Sequence, residues 1–468
     1  MHMPPEGQDG DADGGGGAPR PHEQLKPRHI AMIALGGVIG AGLFVGSGAG
    51  VREAGPSIIL AYVLGGLLVL LVMRMMGEMS AANPVRGSFS VHAENAIGPW
   101  AGFTAGWMYW SMLVVGVAVE AIGAGTILNG WLPAVPSWVF ILVIMALFSG
   151  VNMVAVGSFG EFEFWFAALK VGAVVLFLII GVLAIAGLLP GTPAPGLDNL
   201  LRHGGFFPNG LPGLVAGLLG AVFAFAGLEV VTIAAADSGD PAGSVGRAVR
   251  TAVYRIGLFY IGSMIVIVTL LPWDASQVGK SPYVAVLQYI GVPAAAQIMN
   301  VVVLVALLSA INANLYGSSR MLHSLVDRGE APRALGRTWH GGVPRYAVAC
   351  SAAFGFASVV LNVIWPDTVF QFLVNATGGI VLMVWGLVTV SELRLRPRYE
   401  REGRLVLRMW CFPVLSWCAL AALALVYALM LGDSATRSQG VTTTILAVVV
   451  VTAGLLRARA RTRAGTGG

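Results

Sequence analysis

Apolar runs nearly free of charge, each about as long as a helix needs to cross a bilayer, follow one another along most of this chain. They fall at roughly 29–50, 57–79, 100–128, 137–155, 162–189, 209–236, 250–271, 292–322, 344–362, 367–390, 409–431 and 440–457. This recurrence constrains the fold more than any motif does. The chain reads as an all-α integral membrane protein with twelve transmembrane helices and both ends on one side. Only 11% of its 468 residues are charged, against roughly 25% in a soluble protein.

Basic residues choose the side. Twenty-three of the 28 lysines and arginines sit in alternate connecting segments, from Arg20, Lys26 and Arg28 to Arg457 and Arg463. The opposite segments hold Arg52, Arg202, Lys280 and Arg437, and Lys170 lies inside a span. This positive-inside bias predicts cytoplasmic termini and a multi-pass protein of the plasma (inner) membrane. It also accounts for the net charge of +5 without nucleic acid as a partner, the arginines after 457 reading as a topogenic, lipid-facing cluster. Residues 1–24, rich in Gly, Asp and Pro, read as a disordered cytoplasmic tail, and 458–468 as a basic one. No signal peptide is expected before His29. Cys350, Cys411 and Cys418 have neither metal-ligand spacing nor a disulfide pattern.

The first run contains GGVIGAGLF, which places Gly36, Gly37, Gly40 and Gly42 within seven positions. Each glycine costs a helix interior about 1 kcal/mol relative to alanine. Irregular backbone at membrane depth is tolerated only where it is enclosed by protein or lines a watery cavity. Interrupted helices in corresponding places of two inverted repeats mark the binding sites of many secondary transporters. A second interruption is therefore expected, and the sixth run supplies it: AVFAFAGLEVVTIAAADSGDP sets Gly227 and Glu229 in an apolar helix. Spans one and six each open a five-span group, and five being odd, the second group must run inverted.

A break exposes amide N–H groups and a half-helix dipole that attract an anion. A carboxylate approaches so closely only where side chains are missing, hence Gly40 and Gly42. Carbonyls freed around Phe225, Ala226 and Gly227 suit an ammonium group. Donors for a carboxylate facing acceptors for an ammonium would select an amino acid. The competing reading is close helix packing through small residues, for which Gly36 and Gly40 have the spacing. A phosphate-cradling loop is excluded by the glycine order and by the lack of a strand or a Lys-Ser/Thr ending.

Charge near the midplane costs at least ~2.5–3.5 kcal/mol and needs a reason. Lys170 can hold a proton in one state of the protein and release it in another, a proton-coupling role, or can snorkel to the interface. Glu120 is too deep to snorkel. It is either a group that reads a substrate's distal cation or relays a proton, or a hydrogen-bonded structural acid. Glu229 follows the second break as a cap for the next half-helix or as a gate. Ser309, Asn312 and Asn314 share span eight; Ser309 either contacts the span-one break near the Lys170 amine or bonds another helix in the ordinary way. Glu78 reads as interfacial and structural.

These residues resemble the amino acid–polyamine–organocation (APC) superfamily, and within it the bacterial amino acid transporter family, above all its GABA permeases. The likeness runs through LKPRHIAMIALGGVIGAGLFVGSG, RMMGEMSAANPVRGSFS, GPWAGFTAGWMYW, GEFEFWFAALKV, EVVTIAAADSGDP and NANLYGSSRMLHSLVDRGEAP, over residues 25 to about 431. The resemblance implies a LeuT-type 5+5 inverted repeat with helices 1 and 6 broken and two appended helices. It further implies proton-coupled uptake, with substrate between spans one and six. It carries the span-one motif onto Ile39, Gly40, Ala41 and Gly42, and the span-six motif onto Phe223, Phe225, Ala226, Gly227 and Glu229. A span-five lysine that replaces a sodium ion falls on Lys170, and a span-three acid on Glu120. Two departures stand out: IAAADS, with Asp237 where relatives have glutamate, and small residues around Glu120, which imply a roomier pocket.

The expectation is a secondary active amino acid transporter, with GABA or a related small amino acid as first substrate. The alternative is an amino acid/amine exchanger of the same fold. The partners expected are substrate, protons and membrane lipids, with no cofactor and the proton gradient as driving force. No nucleophile–base pair or metal cluster suggests an enzyme. The units are 25–190 for the first repeat, 205–390 for the second and 391–457 for helices 11 and 12.

Overall fold

The computed structural model describes residues 39–40, 42–83, 88–154, 159–190, 194–229, 240–275, 278, 281–338 and 344–465. All regular structure among them is helical. A π-helical turn, Gly42–Gly46, leads into α1 (Ser47–Ala54), followed by α2 (Ile58–Ala82), α3 (Ser88–Ala96), α4 (Pro99–Trp131), α5 (Ser137–Val154) and α6 (Phe159–Ile185). Next come α7 (Gly210–Phe225), α8 (Pro241–Arg255), a second π-helical turn, and α9 (Gly262–Leu270). The chain then forms α10 (Pro282–Tyr289), α11 (Pro293–Asp327), α12 (Arg345–Ile364), α13 (Val369–Arg401), α14 (Val414–Gly432) and α15 (Arg437–Gly465).

Ten of the helical stretches among the described residues are long and apolar enough to cross a membrane. The expected twelve runs differ from this count at two places, both with a physical reason. Gly42–Ala82 counts as one stretch of 41 residues, yet at 1.5 Å per residue it would be about twice the thickness of the hydrocarbon core. It turns at Gly55, whose φ of +62° favours glycine, and a Cβ there would overlap Pro208. The second place is α7, an apolar helix that stops after 16 residues. The predicted span of 209–236 is cut short at Phe225, and residues 230–236 lie outside the described ones.

Helix α4 packs along α11 and also against α13, α12 and α5; α1 and α2 pack on α7; α8 rests on α2; α12 on α5; and α9 on α6. Deeply enclosed side chains such as Trp385, Tyr62, Phe44 and Phe225 fill the centre. The outer helices turn apolar residues outward, among them Val441, Ile445 and Val448 of α15 and Trp417 and Leu425 of α14. Exposed aliphatic side chains in such density suit lipid rather than water as the outer solvent.

At one end of α2 a polar strap ties distant segments together. The Arg396 guanidinium of α13 lies 2.9 Å from the Glu78 carboxylate of α2, both buried. Glu78 also accepts from the Met409 amide, Arg74 donates to the Arg408 carbonyl, and Arg404 donates to the Asn83 side chain. Glu78, expected at the interface, is therefore buried in a structural ion pair.

Candidate functional site

Helix α7 ends at a break. Its last residue is Phe225; Ala226 turns extended (φ −55°, ψ 134°) and donates to the Phe223 carbonyl at 3.2 Å. Gly227 follows with φ +92°, a left-handed conformation that costs any other residue. A Cβ at Gly227 would meet open space, so glycine serves the backbone there and not the packing. Glu229, buried, bends back so that its carboxylate accepts from the Gly227 amide at 3.1 Å. This bond satisfies an orphan donor at the break itself; residues 230–239, where the half-helix it was expected to cap would run, lie outside the described ones. Phe223, Ala226 and Gly227 stay partly exposed.

The span-one break faces this one. Ile39 and Gly40, both buried, lie outside regular helix, and a π turn starts at Gly42. Such turns recur at functional sites. A Cβ on Gly42 would come within 2.5 Å of the Ala224 Cα and 2.9 Å of its Cβ. The backbones of the two interrupted segments therefore touch, which only glycine permits. At Gly42 close packing is thus real, and what it packs is one break on the other. Ala41, Gly36 and Gly37 lie outside the described residues, as does Asp237.

Gly40 brings in two further helices. A Cβ there would sit 3.3 Å from Ala310 Cβ on α11 and 3.4 Å from Glu120 Oε1 on α4. Glu120 is 6% exposed, and its Oε2 accepts from Asn314 Nδ2 of α11 at 3.0 Å. On the same helix Ser309 accepts from Lys170 Nζ of α6 at 2.9 Å. Lys170 is wholly buried, which rules out snorkelling. Asn312 accepts from Asn152 of α5 at 2.7 Å.

Phe225 does not offer its ring. It is fully buried against Tyr62 and Tyr260, with centroids 5.6 and 5.0 Å away, so any part it takes in binding is through its backbone. Ile39 is likewise fully buried. Sequence reasoning left Asn314 without a partner. The available signal was spacing: Gly116 and Glu120 on α4, and Ala310 and Asn314 on α11, are each four apart and share a helix face.

A polytopic helical membrane protein with an interrupted helix in backbone contact with the π turn at Gly42, and buried ionisable side chains beside them, has the build of a transporter. The chain belongs to the amino acid permease family, whose family model matches residues 29–464. A gamma-aminobutyric acid permease of Bacillus subtilis (strain 168) is 47% identical over 86% of this chain and 86% of its own length. The aromatic amino acid transport protein AroP of Corynebacterium glutamicum is 44% identical over 89% of this chain and 90% of its own. Among solved structures, a manganese transporter mutant from Eremococcus coleocola superposes with a TM-score of 0.57 over 94% of this chain and 95% of that one. At 14% identity that likeness speaks for the fold alone.

Proposed function

We propose that this permease is a proton-coupled symporter that takes up GABA or a related small amino acid by alternating access. The carboxylate rests on amides of Gly40, Ala41 and Gly42 beside Ile39. The ammonium rests on carbonyls of Phe225, Ala226 and Gly227 near Phe223, with Glu120 in reach of a distal cation. Lys170 and Ser309 couple binding to protonation, Glu229 holds the span-six break, and the proton gradient drives the cycle without a cofactor. One observation carries this reading: the Gly42 backbone lies against Ala224, so the two interruptions are neighbours. The names of relatives, a GABA permease and an aromatic amino acid transporter, support an amino acid and differ on which one.

The fold in this proposal is a twelve-helix, LeuT-type inverted repeat, with 25–190 matching 205–390 and helices 11 and 12 appended at 391–457. Contacts that recur five spans apart support it. Span three on span ten (α4 on α13) is echoed by span eight on span five (α11 on α6), and span two on span ten (α2 on α13) by span seven on span five (α9 on α6). Both termini are cytoplasmic in an inner-membrane protein, following the distribution of arginines.

Uptake of radiolabelled GABA into proteoliposomes free of internal substrate, with an acidic exterior, tests the function. Accumulation that collapses with the pH gradient is expected. Uptake only into vesicles preloaded with amino acid or amine would make the protein an exchanger instead.

A further inference from the structure

The strap at the end of α2 encloses a second carboxylate beside its ion pair. Glu392, one turn before Arg396 on α13, is wholly buried, and neither oxygen of its carboxylate makes a hydrogen bond among the described residues. Ser416 of α14, equally buried, sets its hydroxyl beside that carboxylate without closing a bond. Glu78, 1% exposed, commits Oε2 to Arg396 and the Met409 amide, and its Oε1 has no donor among the described residues. Arg396 is engaged in turn: Nη1 also donates to the Met409 carbonyl at 3.3 Å, and the guanidinium lies 4.3 Å from the Phe412 ring centroid. Two enclosed carboxylates thus lie against one guanidinium. The charged groups facing Glu392 are Glu78 from α2 and Arg396 from its own helix. Arg74 and Glu400, of opposite sign, reach Glu78, and Arg74 is tied to the Arg408 carbonyl and the Trp410 ring. Of the other helices packed against α13, α7 carries no ionisable side chain, while His92 of α3 faces Ser80, Tyr109 of α4 faces Phe89, and Arg437 of α15 donates to the Leu431 and Gly432 carbonyls.

An ionised carboxylate accepts hydrogen bonds and donates none, whereas the protonated acid has one O–H to give. Enclosed without donors, a carboxyl group is cheaper to keep neutral than charged. We propose that Glu392 and Glu78 hold one proton between them, forming a protonation site at the strap that is separate from Lys170. The bound proton leaves one carboxylate for one guanidinium. It also supplies a donor where the buried oxygens have none, and the Ser416 hydroxyl completes the set by donating to Glu392. Loss of the proton makes Glu392 a second anion competing for Arg396, which slackens the tie between α13, α2 and the Met409 segment. The proton belongs to the pair and not to either residue alone. Neither the amino acid carried nor the way its transport is coupled enters this proposal.

Infrared spectra of the full chain in nanodiscs at neutral pH test the site. The wild type should show a carboxylic acid C=O band that shifts on deuterium exchange and disappears at alkaline pH. Glu392→Gln and Glu78→Gln should each lose that band, because each leaves a single carboxylate for the guanidinium, whereas any band from Glu120 or Glu229 stays common to all three proteins. Thermal unfolding gives a second reading. The folded wild type keeps a proton that an exposed carboxyl in the unfolded chain has released, so its melting temperature should fall as pH rises from neutral. Glu392→Gln, with nothing to release, should hold steadier over the same range. A wild type without any exchange-sensitive carboxylic acid band would overturn the proposal with no variant needed. So would a band that survives either substitution. A melting temperature raised by sodium or potassium in the wild type, and not in Glu392→Gln, would also overturn it by putting a metal ion where the proton is placed.

Discussion

The ammonium of Lys170 on α6 donates to the hydroxyl of Ser309 on α11 at 2.9 Å, with both side chains buried. A charge so placed costs several kcal/mol unless its surroundings compensate it, and the proposed proton-coupling role of Lys170 rests on that cost. Lys170→Met should therefore leave counterflow exchange intact and abolish accumulation driven by a pH gradient. Ser309→Ala should weaken accumulation about tenfold, the worth of one hydrogen bond to a charged group. Accumulation by Lys170→Met at the wild-type level would remove the coupling role.

Gly42→Ala should separate the two breaks. The new methyl would meet the Ala224 backbone at 2.5 Å, and backbone cannot swing aside as a flexible side chain can. Overpacking of this kind costs about 1–3 kcal/mol. The expected result is a lower melting temperature in detergent and uptake reduced by tenfold or more, about what that energy implies if it falls on the bound state.

The strap at the end of α2 predicts an asymmetry in stability. Arg396→Met removes the ion-pair partner of the buried Glu78 carboxylate, a kind of change that typically costs about 3–5 kcal/mol. Glu78→Gln combined with Arg396→Met removes both charges and should recover part of that loss. Thermal unfolding of the purified variants measures both. A double variant less stable than Arg396→Met alone would show that the pair is not what holds these segments.

His92 predicts a pH dependence. It lies in the short helix α3, outside the candidate spans, buried with Nε2 3.5 Å from the Ser80 hydroxyl. Burial pulls its pKa from 6.5 down to about 4, so between those values the unfolded chain binds a proton that the folded one refuses. Stability from this residue is complete above pH 6.5 and falls as pH drops toward 4, by up to about 3 kcal/mol. His92→Gln should lose less melting temperature over that range than the wild type does.

Much of the fold was legible because bilayer thickness fixes helix length. Runs placed at 100–128 and 344–362 lie within a few residues of α4 and α12. Ends were less legible where hydropathy and helix propensity part company. The run at 367–390 was closed by its charges, yet α13 continues to Arg401 through SELRLRPRYER, with Arg398 and Arg401 complementing the dipole in its last turn. The run from 409 began on apolar residues that belong to the strap, and α14 starts only after Pro413. In the site, glycine clustering pointed to the stretch around Gly40 and Gly42, Gly227 with Glu229 pointed to the break after Phe225, and depth in the apolar run singled out Lys170, Glu120 and Glu229. Partnerships between distant residues left no periodic trace. Glu78 and Arg396 are 318 positions apart, and Asn314 and Glu120 are 194 apart. Only the fold brings each pair together.

The central claim is that the amino acid binds where the interrupted segments of spans one and six meet. An experimental structure of the protein in lipid nanodiscs, with GABA or whichever amino acid raises its melting temperature most, tests this directly. The account predicts ligand density between Gly40–Gly42 and Phe225–Gly227, its carboxylate on the span-one amides and its ammonium toward the span-six carbonyls or Glu120. Density at any other place, or unbroken helix through 36–44 and 223–229, would contradict it.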